Sequence, residues 1–264
     1  MTEAHNGKTA LITGASEGIG AVYADRLATR GYNLVLVARS IDKLEALATT
    51  LRQQTGRSIE ILPADLANRD DLQRVEARLA ATPAVDLLVN NAGINKGGSF
   101  AELSSASVSA VVDLNVTAVA RLAWAASGPM VARGSGTIIN IASVMALMHM
   151  PTSALYSATK AFVLTLTQAL DVDLAGKGVH LQAVLPGATR TAIWAKSGTP
   201  VEYLPQEIVM ETEAMVDASL AGLDQGELVT IPALPERAHW DQFEAARHQL
   251  APNLSRAQPA GRYL

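Results

Sequence analysis

Thr13-Gly14-Ala15-Ser16-Glu17-Gly18-Ile19-Gly20 follows a strand-length apolar run, Thr9-Ala10-Leu11-Ile12, and leads directly into a stretch of helical period that begins near Ile19. Glycine lets the backbone turn sharply and lets a ligand approach it closely, and the first N–H groups of a helix have no partner within that helix. A strand, a glycine-rich turn and a helix in that order therefore predict a site for an anion, and a dinucleotide pyrophosphate in particular.

Outward from this turn the same alternation repeats. Strand-length apolar runs recur at Leu34-Val35-Leu36-Val37, Ile59-Glu60-Ile61-Leu62, Leu87-Leu88-Val89, Thr137-Ile138-Ile139-Asn140-Ile141 and His180-Leu181-Gln182-Ala183-Val184-Leu185, with a seventh at Glu227-Leu228-Val229-Thr230-Ile231. Segments of helical period lie between them, near residues 18–30, 41–54, 68–81, 104–131, 153–175 and 207–222. Strands that are apolar almost throughout are covered on both faces, so the pattern predicts an α/β fold: a doubly wound parallel sheet of about seven strands flanked by helices on both faces. No Pro/Gly/Ser-rich linker divides the chain, and residues 1–264 are read as one domain. Segments 104–131 and 153–175 are apolar around most of their circumference. One sheet face cannot cover them, which predicts a homo-oligomer, dimer or tetramer, formed through these helices.

Composition narrows the class further. The 264 residues are 49% hydrophobic and 17% charged, with no cysteine, which removes disulfides, thiolate metal sites and cysteine nucleophiles. The net charge is -4 and no basic run occurs, so no nucleic-acid partner is expected. The five histidines are scattered, without metal-ligand spacing, and no catalytic metal is expected. Met1 to Lys8 is polar, unlike a secretion signal, and the longest apolar stretch, Val108 to Val131, is interrupted by Asp113, Asn115 and Arg121. Both features predict a cytoplasmic protein with no membrane span.

The turn has the spacing T-G-x-x-x-G-x-G, and in this it resembles the short-chain dehydrogenase/reductase family, specifically its compact members with a Rossmann-type sheet. Further motifs follow in family order from about residue 8 to about 231: Asp65-Leu66 after the third strand, Asn90-Asn91-Ala92-Gly93 closing the fourth, and Pro186-Gly187 after the sixth with Thr189 and Thr191 beyond. The resemblance implies that Gly14, Ser16, Gly18, Ile19, Gly20, Asp65, Leu66, Asn91, Ala92, Gly93, Pro186, Gly187, Thr189 and Thr191 bind the dinucleotide. The end of the second strand points to its type. Ala38 stands where NAD-specific relatives place a carboxylate, while Arg39 and Ser40 offer a guanidinium fork and a hydroxyl to a 2′-phosphate, so NADP(H) is the expected cofactor. One departure opposes it: many NADP-dependent relatives carry Lys or Arg where this chain has Glu17, and a carboxylate pointing at that phosphate would repel it.

Reducing a carbonyl by hydride needs a proton donor at the developing alkoxide, a second hydrogen bond to that oxygen and a route for protons from water. Tyr156 and Lys160 stand four apart in a helical segment and so share a face, and Ser143 ends the fifth strand thirteen residues before the tyrosine. The nearby cation, together with the charge of an oxidised nicotinamide, is expected to pull the tyrosine pKa from about 10 toward neutrality. The resemblance gives Tyr156 the role of general acid, Ser143 that of holding the carbonyl oxygen, and Lys160 those of binding ribose and tuning the tyrosine. By the same resemblance, Asn115 is expected to hold a water of the proton relay by its main-chain carbonyl.

Ile94, Asn95, Met145, Leu147, Met148, His149 and Trp194 are placed to line a substrate pocket beside the nicotinamide. Their mainly apolar character favours a medium-sized hydrophobic ketone or aldehyde. Residues 192–210 are expected to form a lid, and residues 232–264 an extension, helical at first over about 236–250, that contacts another subunit. Two alternatives remain at this stage. One is a 3-oxoacyl carrier-protein reductase, for which Arg133 and Lys177 would supply basic docking residues. The other is a non-catalytic NADP(H)-sensing protein, since a fold does not fix a function.

Overall fold

Alternate residues of the inner strands bury on opposite sides. In β1 (Thr9–Thr13), Ala10 and Ile12 join one core and Leu11 the other; in β2 (Asn33–Ala38), Leu34 and Leu36 face one way and Val35 and Val37 the other. Burying both faces is what nearly unbroken apolarity in a strand requires. The computed structural model describes residues 7–192, 194 and 201–263. Its sheet adds β3 (Ile59–Pro63), β4 (Leu87–Asn90), β5 (Gly136–Ile141), β6 (Val179–Val184) and β7 (Val229–Thr230), all parallel, in the order β3-β2-β1-β4-β5-β6-β7. The fold is a Rossmann-type doubly wound α/β sheet.

One core is closed by α1 (Gly18–Thr29) and α2 (Ile41–Thr55), through residues such as Tyr23, Leu27, Leu44 and Leu51. The opposite core is closed by α3 (Arg69–Ala80) and α5 (Val119–Arg133), through Leu72, Val75, Leu122 and Met130. Between them in sequence lies α4 (Ser105–Val112), and α6 (Ala154–Asp173) precedes β6. A further helix, α7 (Thr212–Asp224), brings Met215, Val216 and Leu220 to the first core.

Three expected elements differ from the sequence pattern. Segment 104–131 is not one regular helix: α4 passes into α5 through a π-helical turn, Asp113–Ala118. The helix expected at 207–222 starts only at Thr212, because Gln206–Ile208 forms a separate 3-10 turn after Pro205 and Met210 pairs with Thr189. The edge strand β7 is two residues long, since after Thr230 the chain runs into Pro232. By length and composition the run Ser105–Arg133 could cross a membrane, and a third of its most apolar window is buried, where α5 packs on α3 and β5.

The chain divides into two compact units, Met1–Pro232 and Ala233–Leu264. The second contains α8 (Arg237–His248), with none of its residues buried; Trp240 and Phe243 meet at 5.4 Å between ring centres, and Arg247 pairs with Glu244.

Candidate active site

Strand order reverses between β1 and β4, and in open α/β sheets the crevice beyond the carboxyl ends of the strands at such a point is where ligands bind. The glycine turn and the Asn90-Asn91-Ala92-Gly93 stretch meet there. Thr13 joins them: its hydroxyl accepts the Asn91 and Ala92 N–H groups at 2.9 and 3.0 Å and donates to the Val89 carbonyl at 3.2 Å. The Asn91 amide nitrogen donates to the Thr13 carbonyl at 2.8 Å. Gly14 has φ +65°, and a side chain on it would press on Asn91 and Ala92; one on Gly20 would overlap the Gly14 carbonyl. Thr191, from the loop after β6, lies over the turn, 3.4 Å from where a Gly18 side chain would begin.

At the neighbouring corner, Ala15 N–H donates to the Val37 carbonyl at 3.2 Å and so ties the turn to the end of β2. Arg39 is exposed and has no hydrogen-bond or ion-pair partner among the described residues, and Ser40 caps α2 by position without a side-chain bond. Glu17 does not stand as a lone carboxylate: Lys43 pairs with it at 2.6 Å. Asp65 accepts the Ala67 N–H, and Leu66 is buried in the core.

The reacting groups gather at the ends of β4 and β5. Ser143 is buried at the head of the 3-10 turn Val144–Ala146, accepting the Met145 N–H at 3.1 Å and facing the Pro186 carbonyl. Its hydroxyl is within hydrogen-bonding reach of the Tyr156 phenol. One turn along α6, the buried Lys160 ammonium donates to the Ile141 carbonyl at 2.8 Å and lies 5.6 Å from the centre of the Tyr156 ring. Asn115 sits in the π-helical turn, exchanging two 2.9 Å hydrogen bonds with the Ile94 backbone and donating to Thr159 at 3.2 Å. The π turn shifts the hydrogen-bond register at this residue, a distortion common at functional sites. Gly93 passes close by, with Asn115 Oδ1 3.3 Å and Lys160 Nζ 3.6 Å from the position its Cβ would take.

A family model described as short chain dehydrogenase matches residues 8–201. The chain belongs to the short-chain dehydrogenases. It is thus an oxidoreductase acting on CH–OH and C=O groups. Among solved structures it is similar to a short-chain dehydrogenase from Sphingobium yanoikuyae in complex with NADPH, 46% identical with a TM-score of 0.95, covering 97% of this chain and all (100%) of that one. It is also similar to the bulky-bulky ketone specific alcohol dehydrogenase from Comamonas testosteroni, 43% identical with a TM-score of 0.90 over 98% and 99% of the two chains. Among curated proteins, human 17-beta-hydroxysteroid dehydrogenase type 3 is 35% identical over 208 residues, 78% of this chain and 64% of that protein's length.

Tyr156 is not pulled toward neutrality by the protein's residues: burial pushes the phenol up to about 12, outweighing the bond to Ser143. Burial acts on Lys160 as well, pushing it down to about 8, and its ammonium is turned toward the Ile141 carbonyl. Thr13, which the sequence showed only as the first residue of the glycine motif, and Thr159, which it did not single out, hold the turn and Asn115 in place. Both residues are buried, and their partners lie far off in the sequence.

Of the residues expected around substrate, Ile94, Asn95, Met145 and Leu147 are half-buried, with Asn95 Oδ1 buried and unpaired among the described residues. Met148 and His149 are exposed. Trp194 is half-buried and donates its indole N–H to the Thr189 carbonyl at 2.8 Å. Residues 193 and 195–200 of the expected lid, including Ser197-Gly198-Thr199-Pro200, lie outside the described residues. The base of that segment is pinned: Arg190 N–H donates to Met210, Met210 N–H to Ala188, and the Thr212 hydroxyl to Arg190. The two cations considered for carrier docking lie by the amino ends of inner strands, away from the carboxyl ends where the site is. Arg133 bonds the Val85 carbonyl just before β4, and Lys177, just before β6, bonds the Asp173 carbonyl.

Proposed function

We propose that this short-chain dehydrogenase is an NADP(H)-dependent reductase of medium-sized, mainly apolar ketones or aldehydes. The observation that carries the proposal is the convergence of Ser143, Tyr156 and Lys160 beside the glycine turn, with the unpaired Arg39 guanidinium at the corner where a 2′-phosphate would lie. The residues present fit the dinucleotide. Gly14 and Gly20 leave room only for bare backbone, Gly187 opens onto free space, and Arg39 and Ser40 have donors to offer. Bound NADP(H) supplies or accepts the hydride. Ser143 holds the carbonyl oxygen by its hydroxyl, and Tyr156 gives that oxygen a proton. Lys160, buried and poised near neutrality, exchanges the Ile141 carbonyl for ribose and tyrosine. Asn115, fixed by Ile94 and Thr159, keeps the main chain of the π turn in place to hold the relay water.

The apolar character of Ile94, Met145, Leu147, Met148 and Trp194, with His149 as polar handle, supports a hydrophobic substrate. The likeness to an enzyme named for bulky-bulky ketones supports the same class. The position of Arg133 and Lys177 away from the site speaks against a carrier-protein substrate. We further propose that the chain acts as one oxidoreductase domain with residues 232–264 as an extension reaching another subunit. The homo-oligomer forms through α5 and α6, where Trp124 is 73% and Val172 78% exposed, Trp124 lining an apolar groove of about 680 Å³ between α3 and α5. Calorimetric titration with NADPH and NADH, followed by a panel of diaryl and alkyl aryl ketones, tests the function. NADPH binding at least about tenfold tighter, with ketone-dependent oxidation, is expected. Equal affinities and no ketone-dependent turnover would overturn it.

A further inference from the structure

Glu17 occupies the N-cap position of α1, where a carboxylate ordinarily bonds its own helix's N–H groups, yet its side chain makes no such bond. It pairs instead with Lys43, in the first turn of α2, at 2.6 Å. The same first turn follows Arg39, which has no partner among the described residues, and Ser40, whose hydroxyl makes no cap bond. The Ala15-to-Val37 hydrogen bond holds the glycine turn against the end of β2, so all four side chains belong to one corner. Of these four, Arg39 and Lys43 are cations and Glu17 a carboxylate, and Lys43 is already held.

We propose that Lys43 is a second cation for the 2′-phosphate of NADP(H), and that Glu17, by competing for Lys43, limits the preference for NADP(H) over NAD(H). The inference rests on the NADP(H) assignment above. A 2′-phosphate carries close to two negative charges and three acceptor oxygens, more than one guanidinium fork satisfies. An ammonium has three donors and can hold a carboxylate and a phosphate oxygen together. The Lys43 side chain is 56% and that of Glu17 32% exposed, so the pair is weak enough to loosen when a dianion arrives. Lys43 thereby explains how a turn that carries a carboxylate where many NADP-binding relatives carry a cation tolerates the phosphate. The repulsion is answered from α2 and not from the turn itself.

The test is calorimetric binding of NADPH, NADH and 2′,5′-ADP to the wild type and to Lys43→Gln, Lys43→Arg, Glu17→Gln and Arg39→Ala, with no turnover involved. Lys43→Gln is expected to weaken NADPH and 2′,5′-ADP roughly tenfold and leave NADH unchanged, while Lys43→Arg retains the preference. Glu17→Gln is expected to tighten NADPH several-fold, again without effect on NADH. If Lys43→Gln binds NADPH as the wild type does, or weakens NADPH and NADH equally, Lys43 does not read the phosphate. Should Arg39→Ala alone abolish the preference in that case, the NADP(H) assignment stands and only this inference fails. A wild type that binds NADH as tightly as NADPH overturns the assignment, and this inference with it.

Discussion

Replacing Thr13 by Val keeps the side chain's shape and removes one oxygen, so the substitution isolates what that oxygen holds. Thr13 is 1% exposed, and its hydroxyl accepts two N–H groups, from Asn91 and Ala92, and donates to the Val89 carbonyl. Each buried polar group left unpaired costs about 1–3 kcal/mol. Asn91 and Ala92 are only half-buried, and Val89 keeps a second lone pair, so the sum falls toward the low end. A loss of about 2–4 kcal/mol is expected, a large share of a typical stability of about 5–15 kcal/mol. Urea unfolding reads it as a lower midpoint with unchanged slope. Thr13→Ser keeps the oxygen and gives up one methyl group, and should lose no more than about 1 kcal/mol. Because the same hydroxyl fixes the glycine turn against β4, Thr13→Val should also weaken NADPH binding while Thr13→Ser does not. A Thr13→Val protein within about 0.5 kcal/mol of wild type, or a Thr13→Ser protein as unstable as Thr13→Val, would refute this account of the turn.

Other expectations follow from single groups. Lys160 is held at about 8 against its ordinary 10.5, so between those pH values the unfolded chain binds a proton that the native one has released. Its contribution to the unfolding free energy therefore rises with pH across that window, and urea titrations at several pH values should show the rise in wild type and not in Lys160→Met. Tyr156 acts in the opposite sense: raised to about 12, it keeps its proton where the unfolded chain loses one, so stability falls as pH climbs from 10 toward 12. Tyr23→Phe removes a buried hydroxyl bonded to Ser219 and should cost about 1–2 kcal/mol in the same denaturation experiment, leaving ketone reduction intact. Trp124→Glu places a charge on the exposed apolar surface of α5 and should shift light-scattering mass from oligomer to monomer, which an unchanged mass would contradict.

Much of the fold could be read from the chain because the inner strands are apolar on both faces and the glycine turn opens the first unit. The six strands from Thr9 to Val184 lie where those runs stand. What periodicity could not show is a change of helical register: Asp113–Ala118 keeps the apolar rhythm of its neighbours while its hydrogen bonds shift to π spacing. Ser143, Tyr156 and Lys160 were legible from spacing within one strand-to-helix unit, and their convergence is local. The partners of the site were not. Thr13 meets Asn91 across 78 residues, Asn115 meets Thr159 across 44, and Glu17 meets Lys43 across 26. The burial of the tyrosine is hidden for a related reason. Lys160, four residues away, is visible in sequence, whereas the burial that raises the Tyr156 phenol belongs to the packed structure.

The central claim is that Tyr156 delivers the proton when hydride reaches an apolar ketone, and single-turnover oxidation of bound NADPH by such a ketone in Tyr156→Phe tests it most directly. The account predicts a rate lower by about 10²–10⁴-fold with NADPH affinity essentially unchanged. A Tyr156→Phe protein that binds NADPH normally and reduces the ketone at the wild-type rate would contradict it.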